Sequence, residues 1–246
     1  MSVAIFGATS RIARELARRF AERGETTILL ARDAAEAAAI AADITVRTGR
    51  PSFAEAFDAT DVAGAPALVA RLEAAHGPIT TAALAFGEMG DQAASQRDPA
   101  AFEAVVAANF TGAAALAEAL AQAMTARGGG RIAAIGSVAG DRGRQSNYAY
   151  GSAKGALALY LEGLRNRLTV QKTGVHVLTV KLGFIDTRMT WGLATKIPIA
   201  SPEAASRAIL HALDRRRDTI YYPPFWRAIM GVIKAIPEVG FKRTST

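Results

Sequence analysis

Val3-Ala-Ile-Phe-Gly7-Ala-Thr-Ser-Arg-Ile-Ala13 lies at the start of the chain, and its reading decides the fold. Four apolar residues run into a glycine, the pattern of a short buried strand ending in a turn. Ile12, Leu16 and Phe20 then recur at fourfold spacing, and Gly24 closes the stretch, which predicts a helix over Ile12 to Arg23. A strand turning straight into a helix leaves backbone N–H groups free at the positive end of the helix dipole. A pyrophosphate can sit there. Gly7, Thr9, Ser10, Arg11 and Ile12 are therefore candidates to hold a nucleotide. Arg11 and Ala13 stand where such a turn often has glycine, so a plain strand–helix turn is the competing reading.

The alternation continues along the chain. Strands are expected at Thr27 to Leu30, Phe53 to Phe57, Ile79 to Phe86, Arg131 to Ile135 reaching Ser137, and Val175 to Val180. Helices are expected between them. One is alanine-rich and capped by Asp33; the next covers residues 62–76 and is broken by Gly77-Pro78. A long one runs from Pro99 to Ala126, and another from Tyr150 to Leu168. Residues from Thr219 read as a last strand. Strict β-α alternation indicates a doubly wound parallel sheet with helices on both faces. The expected architecture is a single α/β domain of Rossmann type over residues 1–246, with a seven-stranded sheet and a helical tail at 223–246.

Arg32 follows the second strand, preceded by Ala31. In dinucleotide folds this position faces the adenosine ribose. A carboxylate would accept from the 2′-OH of NAD, whereas an arginine fork suits the 2′-phosphate of NADP. The expectation is NADP(H), with NAD(H) possible and an exposed loop arginine as the plain alternative.

Bulk composition narrows the class. The chain has 246 residues, 50% of them apolar, enough for one large core. It has no cysteine, which excludes disulfides and thiolate metal sites. His76, His176 and His211 share no metal-ligand spacing and read as packing or surface residues. The N-terminus has no basic leader, and no run reaches the roughly 18 uninterrupted apolar residues of a membrane span. These features fit a cytoplasmic enzyme. Twenty-nine basic residues against 22 acidic ones give a net charge of +7. That excess marks either a basic soluble enzyme or attraction to phosphates. The basic residues are dispersed and carry no recognised nucleic-acid motif.

The chemistry is concentrated in Tyr150-Gly-Ser-Ala-Lys154, with Ser137 thirteen residues before the tyrosine. Positions four apart on a helix share a face, which puts Lys154 beside Tyr150. An ammonium there favours the phenolate and lowers a pKa that is ordinarily about 10. A serine hydroxyl nearby can hold the oxygen that gives or receives the proton. The set suits interconversion of an alcohol and a carbonyl. Asn109 falls in mid-helix, where asparagine is disfavoured, which points to a functional cause.

Gly7-Ala-Thr-Ser, Asp58-Ala59, Asn109, Ser137 and Tyr150-x-x-x-Lys154 occur in the order and spacing of the short-chain dehydrogenase/reductase family, which the chain resembles up to about residue 190. The resemblance implies that Tyr150 is the acid-base group and that Lys154 lowers its pKa and binds the nicotinamide ribose. It implies that Ser137 orients the carbonyl and that Asn109 supports a proton-relaying water behind Lys154. Asp58 and Ala59 would meet the adenine. Ala85, Phe86, Gly87, Gly183, Ile185 and Thr187 would line the nicotinamide end. The chain departs from the family at Arg11 and Ala13, at Leu84-Ala-Phe-Gly87, and at Leu182-Gly183 in place of Pro-Gly. A dimer or tetramer is the implied assembly.

A narrower likeness involves Ala85-Phe-Gly-Glu-Met-Gly-Asp91, the segment from Gly136 to Lys154, and Tyr222-Pro-Pro-Phe-Trp-Arg227. These are similar to decaprenylphosphoryl-2-keto-ribose reductases. That likeness implies a lipid-linked 2-keto-pentose substrate, a flavoprotein oxidase as partner, and a role in cell-envelope arabinose supply. Other ketones, such as a 3-oxoacyl thioester, remain alternatives, as does a non-catalytic nucleotide-binding module. Trp226, Ile229, Met230, Ile233 and Ile236, with Arg227 and Lys234, form an amphipathic tail helix. It serves either a peripheral membrane contact or packing against core, pocket or subunit. Arg142 and Arg144, before Tyr150, either hold a substrate phosphate or are solvated loop charges. Tyr148, with no lysine four residues on, is a pocket wall or a helix start.

Overall fold

The computed structural model describes residues 1–192 and 195–244. Seven parallel strands form one sheet in the order β3-β2-β1-β4-β5-β6-β7. They are β1 Ser2–Phe6, β2 Thr26–Ala31, β3 Ser52–Ala56, β4 Ile79–Leu84, β5 Gly130–Ser137, β6 Val175–Leu182 and β7 Thr219–Tyr222. Every residue of β1 is buried, as a strand covered on both faces requires. The chain grows outward from β1 to β3, then crosses back to place β4 on the other side. The carboxyl ends of β1 and β4 therefore flank the topological switch point, where open α/β sheets bind ligands.

Helices cover both faces. Helix α1 (Arg11–Glu22) lays Ile12, Leu16 and Phe20 on one face. Ser10 caps it, accepting from the Ala13 N–H at 3.2 Å. Helix α2 (Ala34–Thr48) is capped by Asp33 as expected, and α3 (Ala65–His76) begins three residues later than the predicted start. Asp61 explains the delay: its carboxylate accepts from the Gly64 N–H at 3.0 Å and holds a turn where the helix was expected. Two helices escaped the sequence reading, α4 (Gln92–Arg97) and α8 (Pro202–Asp214). Both carried a legible start, Asp91 as cap for α4 and Ser201-Pro202 for α8.

The predicted helix from Pro99 to Ala126 is present but not uniform. It comprises α5 (Pro99–Val106), a π turn at Ala107–Thr111, and α6 (Gly112–Ala126). By length and apolar composition it is a helix that could cross a membrane, and just over half of its most apolar stretch, 56%, is buried inside the protein. Helix α7 (Tyr148–Val170) packs beside it, with Tyr148 at its start and exposed. The tail forms α9 (Trp226–Ala235) and a short α10 (Glu238–Phe241). Trp226 and Met230 of α9 are buried in one cluster with Val138, with Phe184 and Tyr221 packed against it, while Phe225 and Val232 stay exposed.

Candidate active site

Strand β5 and helix α7 bring the three reactive residues together. Ser137 is the last residue of β5, Tyr150 lies in the first turn of α7, and Lys154 is one turn on. Tyr150 is 6% exposed and Lys154 3% exposed. The Ser137 hydroxyl accepts from the Ala139 N–H at 3.1 Å and lies close enough to the phenol to favour its ionised form. Lys154 Nζ donates to the Ile135 carbonyl at 3.0 Å and stands 5.9 Å from the Tyr150 ring centre.

The electrostatics correct one expectation. Lys154 does not bring the phenol down: Tyr150 lies above its ordinary value, because burial penalises the phenolate more than the Ser137 hydroxyl favours it. Burial also acts on the lysine, whose pKa falls to about 8. At neutral pH the site therefore holds a protonated phenol beside an ammonium that is easily discharged. This is a proton donor's configuration, suited to reduction of a carbonyl.

Asn109 sits in the π turn, fully buried. Its Nδ2 donates to the Val105 carbonyl at 2.9 Å and to the Glu88 carbonyl at 2.7 Å. The Val105 carbonyl is the acceptor that the amide of residue 109 would use in a regular α-helix, so the side chain and the widened turn belong together. Asn109 Oδ1 is buried without a protein donor. A Cβ on Gly87 would lie 2.4 Å from that oxygen and 3.0 Å from Lys154 Nζ. Asn109, Gly87 and Lys154 thus enclose one small polar space behind the tyrosine.

The nucleotide end is built mainly from main chain. Gly7 has φ of +82°, and a Cβ there would meet the backbone of Ala85 and Phe86 at 2.8 Å. Only glycine fits both the turn and the approach. The Gly7 and Ala8 N–H groups donate to the Leu30 carbonyl, fixing the turn on β2. Thr9 and Ser10 are partly exposed at the α1 start, whereas the Ile12 side chain lies in the core, leaving only its amide to serve. Phe86 packs on Phe57, and Ala85 joins the apolar layer beneath. Asp58 accepts from the Thr60 N–H and hydroxyl, which hold its carboxyl below the usual range, with Arg32 adding to the effect. Arg32 is exposed, and Ala59 lies beside Asp58 at the end of β3. Arg11 spans the crevice mouth to reach Asp186, 2.9 Å from its carboxylate and 3.1 Å from its carbonyl. Gly183, Ile185 and Thr187 follow β6 on that far side. The Gly183 N–H bonds the Tyr222 carbonyl, and the Trp226 indole lies against Gly183.

The substrate side holds residues that the sequence did not single out. The Asp141 side chain, 2% exposed, binds Lys181 and accepts from the Tyr221 hydroxyl at 2.7 Å. Burial and the Asp141 charge push Tyr221 well above its ordinary value. This trio ties the turn after Ser137 to the ends of β6 and β7. Arg142 is fastened to the tail, bonding Glu238 at 3.0 Å and lying over the Phe241 ring. Arg142 is thereby a paired charge rather than a solvated one. The visible signal was Lys181, a charge inside an apolar strand. His76 and His176 bond Glu55 and the Arg217 carbonyl respectively, as packing residues do.

Comparison with known proteins gives a consistent picture. A family model described as short chain dehydrogenase matches residues 1–197. An uncharacterized oxidoreductase of Mycobacterium tuberculosis is 38% identical over 241 residues, covering 98% of this chain and 96% of the relative. Another uncharacterized oxidoreductase, from Streptomyces coelicolor, is 30% identical over 250 residues, covering 98% and 95%. Among solved structures, a short-chain dehydrogenase from Sphingobium yanoikuyae in complex with NADPH superposes with a TM-score of 0.81 at 27% identity, covering 96% of each chain. A short-chain type dehydrogenase/reductase from Mycobacterium marinum gives a TM-score of 0.83 at 23% identity, over 92% of this chain and 94% of that one.

Proposed function

Because the chain belongs to the short-chain dehydrogenase family, we propose that it is an NADP(H)-dependent reductase of a ketone, with Tyr150 as the proton donor. The observation that carries this reading is the buried, protonated Tyr150 phenol at the end of β5 beside Ser137, with Lys154 one turn behind. NADPH, when bound, supplies the hydride. Gly7, Thr9, Ser10 and the Ile12 amide offer the α1 N-terminus to its pyrophosphate. Arg32 would meet the 2′-phosphate, and Asp58 with Ala59 the adenine. Ala85, Phe86, Gly87, Gly183, Ile185 and Thr187 wall the nicotinamide end. Arg11 could serve the phosphates if it left Asp186, an exposed pair whose attraction is worth at most about 1 kcal/mol. NADPH in the Sphingobium relative supports the cofactor choice.

Ser137 donates to the carbonyl oxygen and fixes its orientation. Tyr150 gives its proton to that oxygen as negative charge develops, a step worth about 10²–10⁴-fold. Lys154 would hold the nicotinamide ribose, and its ammonium gives a proton back to the phenolate and regains one from solvent that donates to Asn109 Oδ1. The specific substrate proposed is a polyprenyl-phosphoryl 2-keto-pentose, on the likeness of residues 85–91, 136–154 and 222–227 to reductases of that compound. A flavoprotein oxidase would be the partner, at the cytoplasmic membrane surface. A homodimer or homotetramer is the proposed assembly. The test is NADPH oxidation with a lipid-linked 2-keto-pentose, a 3-oxoacyl thioester and small ketones. Tyr150→Phe should retain fold and NADPH affinity and lose at least about 100-fold in turnover. Turnover equal to wild type would defeat the mechanism.

A further inference from the structure

Partly buried arginines in this protein come with carboxylates. Arg19 has Glu15, Arg127 has Glu73, Arg131 has Asp214, Arg142 has Glu238 and Arg165 has Asp218 within 4.0 Å; Arg14 and Arg18 are paired likewise. Each pairing offsets the penalty of drawing a guanidinium out of water. Among the described residues Arg144 breaks the pattern. It is partly buried in the segment between Ser137 and α7, yet it has no carboxylate within that range. Its guanidinium donates only to the Met230 sulfur, at 3.5 Å. A thioether is a weak acceptor, so most of a five-donor fork has no protein partner. The acid with the strongest pull on it, Asp141, is already engaged by Lys181 and Tyr221. Burial accordingly depresses the guanidinium's pKa, and Asp141 opposes this only in part.

The position of this unpaired cation matters. Met230 shares a buried apolar cluster with Val138, the residue after Ser137, and Arg144 bonds Met230 from the segment that joins Ser137 to Tyr150. Both arginines meet the tail, but Arg142, two residues earlier, finds a carboxylate there in Glu238, whereas Arg144 finds only the Met230 sulfur.

We propose that Arg144 binds an anionic group of the substrate, so that the ketone reduced here carries a carboxylate or phosphoester apart from its carbonyl. This rests on the reductase reading above. A planar guanidinium matches either anion with two parallel hydrogen bonds. A neutral ketone of similar shape leaves the fork unpaired, which turns an electrostatic gap into substrate selection.

Matched pairs of ketones test this with NADPH saturating: 3-oxobutanoate against its methyl ester, and a ketopentose phosphate against the free ketopentose. In Arg144→Met the charged-to-neutral ratio of kcat/KM should fall about 100-fold, chiefly through KM, with partial recovery in Arg144→Lys. The pair showing the larger fall identifies the anion as carboxylate or phosphoester. An unchanged ratio in both pairs overturns the proposal. Thermal midpoint and NADPH affinity report whether the variants are folded. If the wild type reduces no ketone, the reductase reading fails by itself, and Arg144 is then tested by calorimetry of phenyl phosphate and benzoate on the NADP⁺-saturated protein. Binding lost in Arg144→Met supports the anion site; binding unchanged, or absent from the wild type, overturns it.

Discussion

The two ends of the crevice are made of different material. At the nucleotide end, from β1 to β4, main chain does the positioning. The Gly7 and Ala8 amides hang on the Leu30 carbonyl, Ser10 caps α1, and Asp58 closes a small turn with Thr60. On the substrate side, beneath the tail, charged side chains do it. Asp141 bridges Lys181 and Tyr221, Arg142 reaches Glu238 across 96 residues of sequence, and Arg144 waits without a carboxylate. A backbone-built site tolerates most side-chain change and so preserves one cofactor. A side-chain-built site is where a scaffold can be retuned to a new substrate.

The sharpest way to break this contrast is at Gly7. A Gly7→Val chain must place a branched side chain at φ +82° and within 2.8 Å of the Ala85–Phe86 backbone. NADPH binding should disappear, and any folded protein should lose about 3 kcal/mol or more of stability. Calorimetry with NADPH and denaturant melts measure both. Retained affinity would show that the turn is less closely built than it looks.

Lys154 gives a smaller effect of unusual sign. Its fall from 10.5 to about 8 on burial corresponds to roughly 3 kcal/mol of destabilisation. Below pH 8 the lysine is charged in both folded and unfolded chains, and the penalty is complete. Between about 8 and 10.5 the unfolded chain keeps a proton that the folded one has released, so stability rises with pH. Lys154→Met should therefore be more stable than wild type by up to about 3 kcal/mol at pH 7, while losing turnover. Urea melts at pH 7 and pH 10 should show the gap closing as pH rises. A variant less stable at pH 7 would contradict the account.

The same contrast governs what could be read from the sequence. Val3–Gly7, the Ile12-Leu16-Phe20 stripe and Asp33 announced strands, helix and cap because local periodicity and backbone need coincide. Ser137, Tyr150 and Lys154 were legible because one strand end and one helix turn carry them all. Asp141, Lys181 and Tyr221 were not, since their partnership spans 80 residues and no local pattern encodes it. The upward shift of Tyr150 was also hidden. Sequence spacing gave the neighbour's charge but not the burial that outweighs it. Helix α8 was missed for a plainer reason: Ser201-Pro202 was a sufficient start signal, unused.

The chemistry of the site turns on a buried ammonium beside a protonated phenol. The most direct test is the pH dependence of kcat/KM for NADPH during ketone reduction, which reports groups of the cofactor-free enzyme. With Lys154 at about 8 and Tyr150 above its ordinary value, the profile should be level below pH 7 and fall through a midpoint near 8. A profile that stays level to pH 9.5, or one that rises with pH as a tyrosinate base would require, would contradict it.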